Sequence, residues 1–276
     1  MVIGSFLNVV ALRTISSKKF YHGRSECMHC KSTINWFDNI PILSFVLLRG
    51  KCRSCKRSIS IQYPLVEFIT GAIFIFVFTQ NMESQHLVIF LIISAILVLI
   101  SVIDTLVKSI YQSHLFILLA LAIIFRSFID PMNDFKDLFY GPLAFGGFLA
   151  VLRWVGGKIY KREAMGIGDV KLAVVLGFML SLKLAVLAQY TSFISSSIVG
   201  VYLIVSNSKS EKILPFAPFL SFGTMMAYFY GQQIFSFVVQ FLGLYLRASW
   251  SSWRPLETYK TFREASETIL RGCGTL

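Results

Sequence analysis

Apolar residues fill seven long stretches of this chain, and most of the polar and charged residues lie in the segments between them. The stretches cover residues 64–79, 87–103, 115–128, 139–155, 172–182, 184–206 and 214–246. A helix needs about 20 apolar residues to cross the hydrocarbon core of a bilayer, and it satisfies its own backbone hydrogen bonds there. With a short apolar segment at the N-terminus, the pattern predicts an all-α fold, a polytopic integral membrane bundle of about seven or eight helices.

Composition agrees with this class of protein and divides the chain into four parts. Of 276 residues, 55% are hydrophobic and only 14% are charged. Residues 1–13 resemble a partial first membrane helix, since they are too short for a full span and carry no signal-peptide pattern. We expect a polar loop at 14–63, a membrane domain at 64–246 and a tail of unassigned role at 247–276.

The net charge of +12 is placed in a way that indicates membrane topology. Residues 13–62 contain ten Lys or Arg and two acids, whereas residues 81–86 carry one acid and no base, and residues 129–138 carry three acids and one Lys. Under the positive-inside rule, the 14–63 loop is cytoplasmic, and so is the basic segment at 153–171. Membrane lipid is therefore the expected surrounding, and nucleic acid is not expected as a partner.

Four cysteines in the cytoplasmic loop form two CxxC pairs, which read CMHC and CRSC. Twenty-one residues separate the pairs, a spacing that can bring four thiolates to one tetrahedral Zn²⁺. Two disulfides or a redox pair are the alternatives, although a cytoplasmic loop is kept reduced. The predicted ligands of a structural zinc are Cys27, Cys30, Cys52 and Cys55.

Two aspartates occur at the edges of apolar stretches, Asp104 after residues 87–103 and Asp169 before residues 172–182. A carboxylate at membrane depth costs about 2.5 to 3.5 kcal/mol on insertion scales, so each needs a reason to be there. Topology brings both to the cytoplasmic side. Asp169 could simply cap a helix after Gly166 and Gly168, and Asp104 could pair with Lys108.

Together, two adjacent carboxylates can share a proton and activate water, as in aspartic proteases. The glycines would let the backbone approach this pair closely. A different class of function remains open, a zinc-organised channel or transporter in which Asp104 and Asp169 bind or relay cations.

Several ordered motifs make the chain resemble the type IV prepilin peptidases, the bifunctional leader peptidases and N-methyltransferases of the GxGD aspartic protease group. The resemblance extends from about residue 3 to residue 245. The matching stretches are GSFLNVV at 4–10, the two CxxC pairs, NWFDNIPILSFVLLRGKC at 35–52, YPLVEFITG at 63–71, SVIDT around Asp104, GIGDVKLAVVLG at 166–177 and LPFAPFLSFG at 214–223. One departure from the family pattern is Tyr111, which stands where a proline is usual.

The resemblance implies a function and its residues. Asp104 and Asp169 would be the catalytic pair, supported by Gly166, Gly168 and Lys171. They would cleave prepilin or pseudopilin precursors after a glycine, at the cytoplasmic face of a prokaryotic cytoplasmic membrane that the enzyme crosses several times. The new N-terminal residue would then be methylated, with S-adenosylmethionine as donor.

The site for the methyl donor is less defined, because no glycine-rich nucleotide loop follows a predicted strand. The resemblance assigns methylation to the cytoplasmic loop, where Glu67, Asp38 and Asn39 are the polar candidates for binding the donor. Structural roles are the alternatives: Glu67 could satisfy a helix N-terminus, and Asp38 with Asn39 could form a turn.

Overall fold

The computed structural model describes residues 1–17, 25–80, 82–126, 137–161, 165–206 and 214–250. The α-helices of this part of the chain are α1 (Val2–Ile15), α2 (Leu43–Leu47), α3 (Gln62–Phe78), α4 (Ser84–Val107), α5 (Gln112–Ile124), α6 (Asp137–Tyr160), α7 (Ile167–Gly177), α8 (Leu182–Val205) and α9 (Ala217–Trp250), with a short 3-10 helix at Trp36–Asn39. Most of the predicted tail, residues 251–276, lies outside the described residues, as does Cys273.

The helices confirm the predicted all-α fold class. Three of them are long and apolar enough to cross a membrane, at Ser84–Val107, Leu138–Ile159 and Leu182–Val205. The apolar helices α1, α3 and α5 are shorter. In the described residues, β-structure is limited to two isolated bridges in the cysteine loop.

The N-terminal segment, which the sequence suggested was a partial span, is a packed helix. α1 contacts α3 and α4, and its Leu7 and Ala11 are buried. At Gly4, an added Cβ would lie 2.9 Å from the Cα of Glu67, so only glycine permits this approach of α1 to α3. One turn further along α1, the side-chain amide of Asn8 donates to the Tyr63 carbonyl at 3.3 Å. α1 and α3 therefore run antiparallel.

Glycines also bring α6 and α7 into backbone contact. A Cβ on Gly177 would lie 2.5 Å from Pro142 Cα, and one on Gly146 would lie 3.1 Å from Val174 Cα. The apolar residues of α7 next to this contact, Leu172 and Leu176, are fully buried. This packing fixes the position of α7, whose first turn carries Asp169.

The bounds of α7 differ from the predicted apolar stretch at 172–182. The helix begins five residues earlier and ends at Gly177, after which a tight turn leads to α8. In that turn, the Leu180 N–H donates to the Gly177 carbonyl at 3.1 Å. The apolar stretch in the sequence continues through Phe178, Met179 and Leu180 because these turn residues also pack into the core.

The described residues of Met1–Phe229 form one compact unit, and those from Tyr230 to Trp250 belong to a second. The first unit contains the beginning of α9, which packs closely on α8: a Cβ on Gly223 would lie 2.6 Å from the Ala188 carbonyl oxygen. α9 also approaches α4, where the hydroxyls of Ser101 and Ser221 are 3.4 Å apart. In the second unit, the described residues continue α9 to Trp250.

Candidate active site and metal centre

Asp104 lies in the last turn of α4, where its side chain is buried. The helix ends just beyond it, because Lys108 takes a left-handed conformation with φ of 52°. The Asp104 carboxylate accepts a hydrogen bond from the backbone N–H of Ala217, with 3.1 Å between nitrogen and Oδ2, and another from the N–H of Phe216. These two N–H groups lie at the N-terminus of α9, where the helix dipole favours a negative charge.

Asp169 lies in the first turn of α7, directly after the two glycines of the GIGD sequence. Its carboxylate accepts a hydrogen bond from the Gly166 N–H. A Cβ on Gly166 would lie 3.0 Å from Asp169 Oδ2, and a Cβ on Gly168 would lie 3.1 Å from the Cβ of Ile110. Each glycine therefore makes room for a close contact, the first with Asp169 and the second with the turn that follows α4.

The structure places Asp104 and Asp169 within range of an electrostatic interaction. Asp169 Oδ1 is buried and has no hydrogen-bond partner among the described residues. Leaving a buried carboxylate oxygen without a partner is costly, and such atoms often have a chemical role. A pair of this kind can hold one proton and one water between its carboxylates.

Neighbouring side chains tie the turns around the pair to the helices. Lys171 on α7 donates from Nζ to Gln112 Oε1 on α5 at 3.1 Å. Arg153 on α6 donates to the Met165 carbonyl, just before the glycines. Tyr111 directly precedes α5 and has a φ of −74°, a value that proline also adopts, so the backbone here is compatible with the proline of the family pattern.

The four predicted metal ligands come together in the cysteine loop as free thiols. Their sulfur atoms all lie within 4.8 Å of one another, and Cys27 Sγ and Cys55 Sγ are 3.9 Å apart. Four sulfurs around a Zn²⁺ at about 2.3 Å from the metal would be about 3.8 Å apart, so the cluster fits a tetrahedral metal site. Cys27, Cys30, Cys52 and Cys55 could hold a metal ion.

The two CxxC pairs have the same local structure. In the first, Lys31 N–H donates to the Cys27 carbonyl at 3.0 Å, and in the second, Lys56 N–H donates to the Cys52 carbonyl at 3.0 Å. Both lysines are left-handed, with φ of 58° and 57°. Hydrogen bonds with the side chain and the backbone of Ser32 lower the pKa of Cys30 from 9.0 to about 6, which favours the thiolate form that binds a metal.

Two of the three residues predicted to bind the methyl donor make contacts within the protein. Glu67 is buried on α3, and its Oε2 accepts a hydrogen bond from the backbone N–H of Ile42, the residue just before α2, at 2.8 Å. Asp38 accepts two hydrogen bonds from the Arg53 guanidinium, at 2.7 and 2.8 Å. These bonds hold the pKa of Asp38 below its ordinary value.

The third candidate, Asn39, lines an open groove of about 600 Å³ between α1 and the cysteine loop. Its volume lies within the range of small-molecule and cofactor sites. The remaining lining residues are Val2, Ser5, Phe6, Val9, Arg13, Ser25, Trp36, Ile40 and Pro41. The walls are thus mostly apolar, with polar residues on both α1 and the loop.

Comparison with known proteins accounts for most of the chain. Residues 1–81 match the model of the bacterial peptidase A24 N-terminal domain, and residues 91–204 match that of the type IV leader peptidase family. A Bacillus subtilis protein named "Prepilin leader peptidase/N-methyltransferase" is 30% identical over 244 residues, which cover 87% of this chain and 95% of the relative. The chain belongs to the type IV leader peptidase family.

Two further relatives agree with this membership. An Escherichia coli protein named "Type 4 prepilin-like proteins leader peptide-processing enzyme" is 34% identical over 81% of this chain and 88% of the relative. A Myxococcus xanthus "Prepilin leader peptidase/N-methyltransferase" is 32% identical over 76% of this chain, and the match spans 62% of that relative's length. No solved structure matches the chain. The type IV leader peptidase family is a family of aspartic proteases, and this chain is an enzyme of that class.

The two family models divide the structure into the parts already described. The N-terminal model covers α1, the cysteine loop and α3, and the leader peptidase model covers most of α4, then α5 to α7 and nearly all of α8, with both aspartates. The two N–H groups that hold Asp104 lie beyond the second match, at the start of α9. This stretch, LPFAPFLSFG, is one of the motifs that resemble the family, but the sequence did not predict a role for it. Its prolines, Pro215 and Pro218, are the available signal, since proline is favoured where a helix begins.

Proposed function

We propose that this protein cleaves the leader peptides of type IV prepilins or pseudopilins with Asp104 and Asp169 as the catalytic dyad, and then methylates the new N-terminus. The observation that supports the proposal is the electrostatic interaction between the two carboxylates, one on α7 and the other at the end of α4, where the start of α9 binds it. The names of the relatives supply the substrate class.

The proposed cleavage follows the chemistry of a carboxylate pair that shares one proton. The ionised carboxylate takes a proton from water as the water oxygen attacks the carbonyl carbon of the last leader residue, the glycine. The protonated carboxyl donates its proton to the carbonyl oxygen. The tetrahedral intermediate then collapses, the C–N bond breaks, and a proton passes to the leaving amine. Asp169 Oδ1, buried without a hydrogen-bond partner in the described structure, is available to contact the attacking water.

We place the reaction at the cytoplasmic face of a prokaryotic cytoplasmic membrane. The charge distribution supports this orientation, since the basic loop precedes α3 and the basic segment at 153–171 leads to Asp169. Membrane lipid would surround the apolar helices, and the hydrophobic segment of a prepilin could lie beside them while its basic leader stays in the cytoplasm.

For methylation, the groove between α1 and the cysteine loop is the candidate donor site. Asn39 and Trp36 line it, so an adenine ring or a sulfonium could contact an aromatic face there. S-adenosylmethionine, when bound, supplies an electrophilic methyl group. Glu67 and Asp38 would not contact the donor. They would position the loop that forms one wall of the groove. The cysteine cluster would carry a structural Zn²⁺ in the same loop.

The test is cleavage of a prepilin in membranes that contain equal amounts of the wild-type protein, Asp104→Asn or Asp169→Asn. Glu83→Gln is the matched control, because Glu83 is an exposed carboxylate at the opposite end of α4. Mass spectrometry of the product's N-terminus then reports both the cut site and any added CH₂ group.

We expect both dyad variants to lose cleavage, and Glu83→Gln to keep it. Methylated product from the wild-type protein would support the second activity separately. Full cleavage by either dyad variant would overturn the assignment of the aspartates. It would favour the alternative function, a channel or transporter in which they bind cations.

A further inference from the structure

An apolar surface on the cysteine loop is largely uncovered within the described structure, although the Arg53 guanidinium lies 5.3 Å from the ring centre of Phe37. Large hydrophobic side chains there are exposed, with Trp36 at 79%, Leu47 at 72% and Val46 at 63%. We call this surface the loop face. It consists of six exposed residues: Trp36, Phe37, Ile40, Leu43, Val46 and Leu47. The 3-10 helix and α2, which carry most of these residues, contact each other, and a large exposed apolar surface marks an interaction site rather than ordinary solvent-exposed surface.

The attachment of the loop to α3 determines where this face lies. The Ile42 N–H binds Glu67 Oε2 at 2.8 Å, and Glu67 lies about one helical turn beyond Tyr63 along α3. At the same level, Gly4 of α1 packs against the Glu67 backbone. The segment that carries the loop face therefore lies beside α1 and α3. It contacts α3 about one turn inside the helix, and not at the end that joins the loop.

Positive charge follows the loop face directly in the sequence. Arg49, Lys51, Lys56 and Arg57 lie between Leu47 and Ser60, and the segment 48–60 contains no acid. An apolar surface bordered by basic residues is typical of a segment that lies in the headgroup region of a membrane with anionic lipids. Tryptophan in particular favours that region.

We propose that the loop face inserts into the membrane leaflet on the side of the cysteine cluster and contacts anionic phospholipid. The cysteine loop then lies against the membrane instead of extending into water, with Glu67 as the bond that fixes its depth. The groove lined by Trp36, Ile40 and Pro41 consequently opens at the membrane surface. A new N-terminus that emerges from the bilayer would meet it there.

The experiment uses the full chain in vesicles of phosphatidylcholine and phosphatidylglycerol, with Trp36 as the single fluorescent reporter. Trp154, Trp250 and Trp253 are replaced by phenylalanine. Emission is recorded in vesicles whose acyl chains carry bromine either near the headgroup or near the chain end. We expect a blue-shifted emission and a loss of fluorescence that is greater with shallow bromine. Emission as in water, unchanged by bromine at either depth, overturns the proposal.

A second measurement needs no substitution. The wild-type protein is irradiated in vesicles with a phosphatidylglycerol that carries a diazirine in its acyl chain, and the adducts are mapped by mass spectrometry. Adducts on the peptide that contains Leu43, Val46 and Leu47 support the proposal, and adducts confined to the long apolar helices contradict it. If adducts on the loop disappear when a prepilin is added, the face is a substrate surface, and its assignment to lipid is wrong.

Discussion

The backbone N–H of Ala217 donates a hydrogen bond to Asp104 Oδ2 at 3.1 Å, although 113 residues separate the two along the chain. The bond joins the end of α4 to the beginning of α9. One of the proposed catalytic carboxylates is therefore oriented by backbone N–H groups at a helix N-terminus, and this hydrogen bond uses no other side chain.

Substitutions of Asp104 should therefore separate catalysis from stability. Asparagine keeps an oxygen that can accept the Ala217 N–H, whereas leucine leaves that buried donor without a partner. We expect Asp104→Leu to be less stable than Asp104→Asn by about 1 to 3 kcal/mol, and both to be inactive. Thermal unfolding in detergent, followed by helix content, measures the difference. Equal stability of the two variants would mean that the hydrogen bond does not support the fold.

The backbone contact between α6 and α7 gives a second prediction. In Gly177→Ala, the new methyl group would lie 2.5 Å from Pro142 Cα, and neither backbone can easily move aside. We expect a loss of about 1 to 3 kcal/mol in stability, and reduced prepilin cleavage because Asp169 moves with α7.

Gly200→Ala is the control for this substitution. Gly200 lies on α8, and a Cβ there meets nothing within 4 Å. Its alanine variant should keep its unfolding temperature and its cleavage activity. A Gly177→Ala protein that behaves like Gly200→Ala would show that the close approach of α6 and α7 is not needed to position Asp169.

The sequence predicted those parts of the site that depend on local rules. The spacing of the four cysteines was enough to predict one metal cluster, because CxxC pairs have few ways to arrange their sulfurs. The charge pattern assigned Asp104 and Asp169 to one side of the membrane, and in the structure the two residues interact electrostatically. Their catalytic role stays a prediction.

The parts that the sequence did not predict depend on contacts between distant segments. Pro215 and Pro218 indicate that a helix begins near Ala217, but the sequence does not indicate that the Ala217 N–H faces Asp104, because a backbone donor has no side chain that marks its partner. Hydropathy could not place the end of α7, since the turn after Gly177 is as apolar as the helix. Glu67 was a candidate for donor binding as well as for a helix cap, and only the structure shows that it accepts the Ile42 N–H.

Glu67 provides the third prediction, which distinguishes positioning from donor binding. Glu67→Gln keeps an oxygen for the Ile42 N–H, and Glu67→Leu does not. If Glu67 positions the loop, the glutamine variant should retain methylation, and the leucine variant should lose it together with protease resistance of residues 25–60. Leader cleavage, limited proteolysis and the KM for S-adenosylmethionine are measured in parallel.

Contact between Glu67 and the donor would produce a different pattern. The glutamine variant would then show a raised KM for S-adenosylmethionine while its loop remained resistant to protease. Such a result would contradict the positioning role and restore Glu67 to the donor site.

Removal of the metal gives the last prediction. The cysteine loop has little apolar core of its own, so the bonds of four thiolates to one ion should supply most of its order. Treatment with a strong chelator, or the substitution Cys52→Ser, should therefore release about one zinc per chain. Either change should also expose residues 25–60 to protease, while the helices from α4 to α8 stay protected.

Ser54→Ala, in the same CxxC pair, is the control, because alanine keeps the backbone N–H that bonds to Cys52. Metal analysis and mapping of the proteolytic fragments measure both effects. Protease resistance that survives complete loss of the metal would mean that the Asp38–Arg53 ion pair and the Glu67–Ile42 bond hold the loop without it.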